Sequence, residues 1–292
     1  MTALSLLGLG PMGAPVATNL ARRLGGLTVW NRTPGKAGAV TALGAREAAT
    51  LADAAADVVL TVLPDLPQVE TVLHGPDGLL AGWRRRGVRT PTLVVHGTVS
   101  PVAVRGFAAR LRREHGVRVV DAPMSGGVPH AERGTLSLMV GGDPADVEVL
   151  APVFAAIATT IVHLGPVGAG QLAKACNQVV VAGTIAALSE ALCLAEGYGL
   201  PRADLLSALA GGLAGSAVLD QKRDRWLRED FTGGGSARNQ LEDLAFAREA
   251  EEAVDAPSAL TALLHDQFRR MVTGGDGELD HSGLLRTVRA GS

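Results

Sequence analysis

The stretch Ala3–Gly13, ALSLLGLGPMG, decides how the rest of the chain is read. Its first five residues form an apolar run of strand length, and Gly8-Leu9-Gly10-Pro11-Met12-Gly13 follows at once. This is the G-x-G-x-x-G pattern in the setting it requires, a strand before it and a helix-forming run, Ala14 to Leu24, after it. The first glycine permits a tight turn, the second lets backbone approach a pyrophosphate, and the third lets the helix lie close to the sheet. A phosphate placed there meets unpaired N–H groups and the positive end of the helix dipole.

A second strand is expected at Leu27 to Trp30, ending in Asn31-Arg32-Thr33. Sites that hold a ribose 2′-hydroxyl usually carry an acid at this point. Here a cation and two polar side chains stand instead, which suits a 2′-phosphate, so NADP is expected in preference to NAD. The βα rhythm continues with a helix near Thr50 to Ala55 and strands at Val58–Leu63, Thr92–His96, Arg118–Asp121, Leu136–Val140 and Thr160–Leu164. Leu63-Pro64 and Thr98 fall just past strand carboxyl ends, where open α/β sheets bind ligands. Arg84 to Arg86 read as a solvated helix end. Ser125-Gly126-Gly127 can present successive N–H groups and a hydroxyl, an anion-binding nest that would fit a substrate carboxylate.

The second landmark is Gly165–Asn177, GPVGAGQLAKACN, where a glycine-rich turn opens a long apolar helical run. Lys174 is the only formally charged residue between Glu148 and Glu190, in a chain with three lysines against 24 arginines. On a helix, Gly170, Lys174, Asn177 and Gln178 share one face, because positions three and four apart are neighbours. From Ala169 to Gly197 the run is apolar nearly all round, which predicts burial on every side, with a second subunit as one means of covering it. Gly183 in its middle is expected to mark a close-packing point. Helices are expected afterwards at Arg202–Leu209, Ser216–Arg228, Gln240–Ala253, Pro257–Met271 and Ser282–Arg289, with no strand beyond Leu164. The fold class is therefore α/β: an N-terminal Rossmann-type doubly wound sheet over residues 1–164, then an all-α domain over 165–292.

The totals agree. At 292 residues the chain exceeds the size at which single cores stop growing. A net charge of −2 gives no general attraction to nucleic acid or anionic membranes, and 3% aromatic content argues against base-stacking platforms. The longest apolar run, Val179 to Leu188, is too short to cross a bilayer. Cys176 and Cys193 lie too far apart on one helix to pair, and no metal-ligand spacing occurs. No signal-peptide pattern is present, so a cytoplasmic location is expected.

These motifs, in this order, resemble the β-hydroxyacid dehydrogenase family, which includes 3-hydroxyisobutyrate dehydrogenase and tartronate semialdehyde reductase. GLGPMGAPVATNL (8–20) resembles its cofactor signature, DAPMSGGVPHAERGTLSLMVGG (121–142) its substrate signature, and GPVGAGQLAKACNQ (165–178) its catalytic one. The resemblance implies Lys174 as the acid–base. It further implies Ser125, Gly126 and Gly127 on the substrate carboxylate, Asn177 (with Gln178 beside it) on the hydroxyl end, and Thr98 on the nicotinamide side. It also implies a small-molecule carboxylate as substrate, while the all-apolar run 169–197 favours at least a dimer, so a homo-dimer or homo-tetramer is expected. Two departures stand out. His96-Gly97-Thr98 replaces the usual Asp-x-Ser-Thr, and Glu242, in Gln240-Leu241-Glu242-Asp243-Leu244, takes the place of a lysine that reaches the cofactor. An acid there either weakens cofactor binding or signals a substrate carrying a cation. The competing readings are an imine reductase, which usually has aspartate or tyrosine at the Lys174 position, and a non-catalytic NADP-binding protein.

Overall fold

The computed structural model describes residues 3–291. The chain forms two compact units, Met1–Lys174 and Ala175–Ser292. The first begins with β1 (Leu4–Leu7), α1 (Gly13–Leu24), β2 (Leu27–Trp30), α2 (Gly38–Thr41) and β3 (Arg46–Glu47). It continues through β4 (Val58–Thr61), α3 (Leu66–Leu73), α4 (Leu79–Arg86), β5 (Thr92–Val95), α5 (Pro101–His115) and β6 (Arg118–Asp121). It closes with β7 (Met124–Ser125), α6 (Gly127–Arg133), β8 (Leu136–Gly141), α7 (Pro144–Ala155), β9 (Ala158–Gly165) and the opening of α8 (Ala169–Gly197).

Strands run in the order β3-β2-β1-β4-β5-β6, all parallel; β8 then joins antiparallel to β6, and β9 pairs parallel with β8. This is the doubly wound arrangement. Its strand order reverses beside β1, so the connections leaving β1 and β4 diverge and open a crevice at their carboxyl ends. The strands are short but apolar on both faces. Leu6, Val29, Leu60, Val94 and Val120 pack into one core, while Leu7, Val59, Leu93, Val95 and Val119 pack into another on the opposite face. That alternation is the two-residue period of a strand buried on both sides. Each such side chain contributes about 1.5–3 kcal/mol of transfer free energy.

Helix starts follow local chemistry. Asp65, Ser100 and Asp143 each accept backbone N–H groups at the N-termini of α3, α5 and α7, with a proline in the first turn. Arg84 to Arg86 form the last turn of α4, closed by Gly87 in the left-handed conformation, so the cluster sits at the negative end of the helix. The helix expected over Thr50–Ala55 is instead one 3₁₀ turn, Ala52–Ala54. The Asp53 carboxylate accepts the Thr50 hydroxyl (2.8 Å) and N–H (3.2 Å), which closes the turn before a helix can propagate.

The second unit is helical: α9 (Arg202–Ala210), α10 (Ala217–Arg228), α11 (Ala237–Glu252), α12 (Ala259–Met271), a π turn at Val272–Asp276, a 3₁₀ turn at His281–Gly283 and α13 (Leu284–Arg289). Among the described residues only an isolated bridge, Ser236 to Asp280, represents extended pairing here. α11 starts three residues earlier than expected because the Ser236 hydroxyl accepts the Asn239 N–H at 3.2 Å and caps it. One core gathers Ile185, Leu244, Leu264 and Phe268, and another Leu192, Leu206, Trp226 and Leu285.

Within this chain α8 departs from two expectations. The chain itself does not bury the helix on every side: Leu172 is 40% exposed, Val180 68% and Leu194 65%, and with Cys176 they lie along one stripe. Nor is Gly183 a close-packing point within the chain, since a Cβ there would find only Leu264 Cδ1, at 3.8 Å. Over 29 residues α8 has the length and mean hydropathy (1.7) of a membrane-spanning helix. One such helix is weak evidence, because the core helix of a soluble protein has the same features; here α8 supplies Ile185 and Leu192 to the cores above.

Candidate active site

The glycine turn after β1 is shaped by what surrounds each residue. Gly8 has φ +97°, and a Cβ there would stand 2.4 Å from the Val62 carbonyl oxygen; one at Gly13 would stand 1.9 Å from that of Gly8. Neither position admits a side chain. Gly10 differs: nothing lies within 4 Å of where its Cβ would be. That open side gives onto a cleft of about 540 Å³ bordered by Leu9, Gly10, Pro11, Asn31, Thr33 and Lys36. No side chain caps α1 at Met12, and its first turn carries no acid. The donor set, the unfilled space at Gly10 and the uncapped helix end all fit a dinucleotide pyrophosphate.

Asn31, expected to offer its amide to the cofactor, spends it on the protein. Its Oδ1 accepts the Leu9 N–H at 2.8 Å, and its Nδ2 donates to the Thr33 carbonyl at 2.8 Å. Asn31 therefore couples the glycine turn to the turn after β2, while exposed Arg32 and Thr33 remain beside it. Lys36 on the cleft rim was missed. Three residues beyond Thr33, it had no motif to flag it.

The crevice continues along the strand ends. A Cβ at Gly97 would meet the Leu63 carbonyl oxygen at 2.1 Å, so the glycine lets the loop bearing Thr98 lie against Leu63-Pro64. His96, just before it, is buried; its Nδ1–H donates to the Ala122 carbonyl at 2.7 Å, tying the end of β5 to the end of β6. Its Nε2 is buried without a described partner. Burial depresses the His96 pKa to about 4, against the smaller opposing effect of the Ala122 contact, so the ring is neutral at pH 7.

At the end of β6, Asp121 is fully buried and receives the opening of α8. Its Oδ1 accepts the Gly168 N–H and its Oδ2 the Gln171 N–H, both at 2.7 Å. Gly170 has to be glycine, because a Cβ would stand 2.2 Å from the Met139 carbonyl oxygen and 2.8 Å from Asp121 Oδ2. Gln171 then reaches back. Its Oε1 accepts the Val99 N–H (3.0 Å), and its Nε2 donates to the Gly97 carbonyl (2.8 Å), bracketing Thr98. Lys174, less than one turn further along α8, is 8% exposed. The structure thus brings together Gly8–Gly13, Leu63-Pro64 and Thr98, and joins the Thr98 loop to the helix start that carries Lys174.

Ser125-Gly126-Gly127 is not a plain loop. Ser125 belongs to β7 and pairs with Ser137, while Gly127 begins α6. Gly126, with φ +122°, would drive a Cβ to within 2.6 Å of His130 Cβ. The segment is fixed, with the Ser125 side chain and two glycine N–H groups at a strand-to-helix turn.

In the second unit, Asn177 Nδ2 donates to Gln178 Oε1 (2.9 Å) and Gln178 Nε2 to Asp243 Oδ2 (2.6 Å). Gln240 Nε2 donates to the Gln178 carbonyl (3.3 Å), and Gln240 Oε1 lies 3.1 Å from His281 Nδ1. Asp243, Gln240 and His281 had no signal in local spacing, being more than 60 residues from Gln178. Glu242 lies on the exposed side of α11. No cluster of metal-binding type occurs among the described residues.

Residues 3–165 match the NAD-binding domain of 6-phosphogluconate dehydrogenase, and residues 168–288 match the NAD-binding domain of NADP-dependent 3-hydroxyisobutyrate dehydrogenase. The chain is 36% identical to the 2-hydroxy-3-oxopropionate reductase of Escherichia coli K12 over 98% of its length and 96% of that protein's. The chain belongs to the β-hydroxyacid dehydrogenase family. It is an NAD(P)-dependent oxidoreductase of that family. It is also 34% identical to the NAD-dependent L-serine dehydrogenase of Pseudomonas aeruginosa, over 97% of this chain and 96% of the other. Among solved structures, a 3-hydroxyisobutyrate dehydrogenase from Mycobacterium tuberculosis, crystallised with L-serine, matches at TM-score 0.84 and 31% identity, covering 99% of each chain.

Proposed function

We propose that this protein is an NADPH-dependent dehydrogenase that interconverts a small β-hydroxyacid and its semialdehyde, with Lys174 as general acid–base. The observation that carries the proposal is a lysine 8% exposed on the first turns of α8, whose start is fastened to Asp121 and, through Gln171, to the loop of Thr98.

Once NADP(H) is bound, its nicotinamide would supply or accept the hydride. Lys174 Nζ gives a proton to the substrate oxygen during reduction and takes it back during oxidation. Ser125 Oγ and the N–H groups of Gly126 and Gly127 hold the substrate carboxylate, and Asn177, with Gln178 supporting its amide, takes the hydroxyl end. Leu63, Pro64 and Thr98 border the nicotinamide, with Glu242 assigned to the same cofactor face by the family pattern. Arg32, Thr33 and Lys36 take the 2′-phosphate, which supports NADP in preference to NAD. The Lys-x-x-Asn-Gln form at 174–178 favours a tartronate semialdehyde (2-hydroxy-3-oxopropionate) type of substrate, the compound in the name of the Escherichia coli reductase. A lysine at 174 argues against both the imine reductase and the non-catalytic readings. The exposed stripe of α8 supports a homo-dimer or homo-tetramer.

Lys174→Ala should lower kcat by about 10²- to 10⁴-fold, the usual contribution of positioned proton transfer, with little change in NADPH affinity. Stopped-flow reduction of tartronate semialdehyde, with fluorescence titration of NADPH, measures both; near-normal kcat would reject the role.

A further inference from the structure

The N-terminal unit has a second cleft, about 550 Å³, lined by none of the residues assigned above to cofactor or substrate. Asp121 stands opposite Gly141 in the antiparallel pair, so the chain beyond Gly141 runs back toward the amino end of β6. Arg118, Val119 and Gly142 line one end of this cleft, toward the amino end of β6, and Gly165–Val167, just before the start of α8, line the other. Its floor is apolar, built from Ala108, Ala109, Val119 and Val167. The volume is within the range of small-molecule sites.

Charge on the rim is unbalanced. Arg118 is paired with Asp146 (2.7 Å) and donates to the Thr90 carbonyl (2.9 Å). Asp143 uses its carboxylate on the N–H of Ala145, and His163 Nε2–H is held by the carbonyls of Gly142 and Gly165. Arg105 and Arg112 are different: no described residue gives either an ion-pair or hydrogen-bond partner, whereas Arg110 on the same helix pairs with Glu70. They lie seven residues apart, so both project from one side of α5, about 10 Å along its axis. The Arg105 stem also packs beside Gly168. A Cβ on Gly168 would meet its Nε at 2.7 Å and its Cγ at 2.8 Å, so the stem occupies the space this glycine leaves. A cation positioned before binding loses less side-chain freedom when it binds.

We propose that this cleft is a binding site for a small organic anion with an apolar body, a medium-chain carboxylate in chemical class. The headgroup lies between Arg105 and Arg112 and the chain on the alanine–valine floor. The inference is independent of the role given to Lys174.

Isothermal titration of octanoate into protein saturated with NADPH tests it, with octanol as the uncharged control. Binding is expected for octanoate, at least tenfold weaker for octanol, and at least tenfold weaker for octanoate with Arg105→Ala/Arg112→Ala. Both arginines are exposed, so the double variant should keep its circular dichroism spectrum and its NADPH affinity; Arg113→Ala, with a neighbouring exposed arginine outside the cleft, serves as the matched control and should bind octanoate like the parent. No heat at millimolar octanoate, equal binding by the double variant, or displacement of octanoate by the hydroxyacid substrate would each overturn the proposal.

Discussion

Gln171 donates its backbone N–H to Asp121 Oδ2 at 2.7 Å, and the same residue brackets Thr98 with its side-chain amide. One carboxylate thus fixes where the lysine-bearing helix begins. Burial raises the Asp121 pKa to about 6, against the lowering effect of the N–H groups of Gly168 and Gln171. A carboxyl group whose native pKa exceeds its unfolded value of 3.8 gives stability that is fully present below pH 3.8 and lost as pH rises through 6. Neutral, buried His96 acts in the opposite sense, its contribution being lost as pH falls from 6.5 to about 4. Each amounts to about 3 kcal/mol at most. In the parent the two slopes offset. Asp121→Asn should therefore expose the histidine's slope, giving a steeper loss of stability between pH 6.5 and 4 in urea unfolding. Parallel pH curves for variant and parent would show that Asp121 has no raised pKa.

The 2′-phosphate reading now rests on Arg32, Thr33 and Lys36, because the Asn31 amide is committed to Leu9 and Thr33. Hydrogen bonds to charged groups contribute about 1.5–3 kcal/mol, so Arg32→Ala and Lys36→Ala should each weaken NADPH about ten- to hundredfold while leaving NADH within about threefold. Calorimetric Kd values for the two cofactors decide it. Equal losses for both would mean that these cations do not read the phosphate.

How much the sequence disclosed follows from the range of the interactions. The sheet was readable because β1, β2 and β4–β6 are short apolar runs at regular spacing, each followed by a loop with its own turn residues. β3 was not, since Arg46 and Glu47 are both exposed and show no apolar pattern. The same limit hid β7 and α6, a two-residue strand and a helix entered through two positive-φ glycines. Lys174 stood out by composition alone, as the one charge in a long apolar run. What orients it did not: Asp121 lies 50 residues from Gln171, and Gln178 meets Asp243 at a separation of 65. The all-round apolar pattern of α8 did not disclose which face the chain itself covers, because such a pattern does not distinguish it from a face left to a second subunit.

That exposed face gives a direct test of association. Leu172, Cys176, Val180 and Leu194 form one stripe of α8, with Gly183 on the same side. Val180 is 68% exposed, so a charge there costs the isolated fold little. Val180→Glu should leave helix content unchanged by circular dichroism yet shift sedimentation toward the monomer, because a carboxylate buried at a subunit contact lacks a partner. An unchanged sedimentation coefficient would place the stripe outside any subunit contact.

The third lysine, Lys222, has no part in the chemistry and should matter most for stability. Its Nζ lies 2.7 Å from Asp280 Oδ2, with the two side chains 7% and 0% exposed. Asp280 Oδ1 accepts the N–H and hydroxyl of Ser282 at 3.0 and 2.6 Å, and Gly234, at φ +85°, leaves room for the carboxylate. Burial alone would raise the Asp280 pKa, but the charges of His281 and Lys222 and the hydrogen bonds from Lys222 and Ser282 hold it below the usual carboxylate range. Removing Lys222 leaves the buried carboxylate only the longer Arg225 ion-pair contact (Nε to Oδ2, 3.7 Å), and removing the carboxylate takes the ion pair from Lys222; losing one partner of a buried pair typically costs about 3–5 kcal/mol. Lys222→Met should therefore destabilise the protein by about that amount in urea unfolding, and Asp280→Asn by a similar amount. The double variant should lose less than the sum, since neither buried charge of the Lys222–Asp280 pair remains and the two sites share one interaction. The pH dependence separates a lost ion pair from lost packing. With only the longer Arg225 ion-pair contact left, the Asp280 carboxylate of Lys222→Met takes up a proton more readily than in the parent, so the deficit of the single variant should shrink as pH falls toward 4. A deficit that stays constant with pH, or strict additivity in the double variant, would assign the cost to packing of the lysine stem instead.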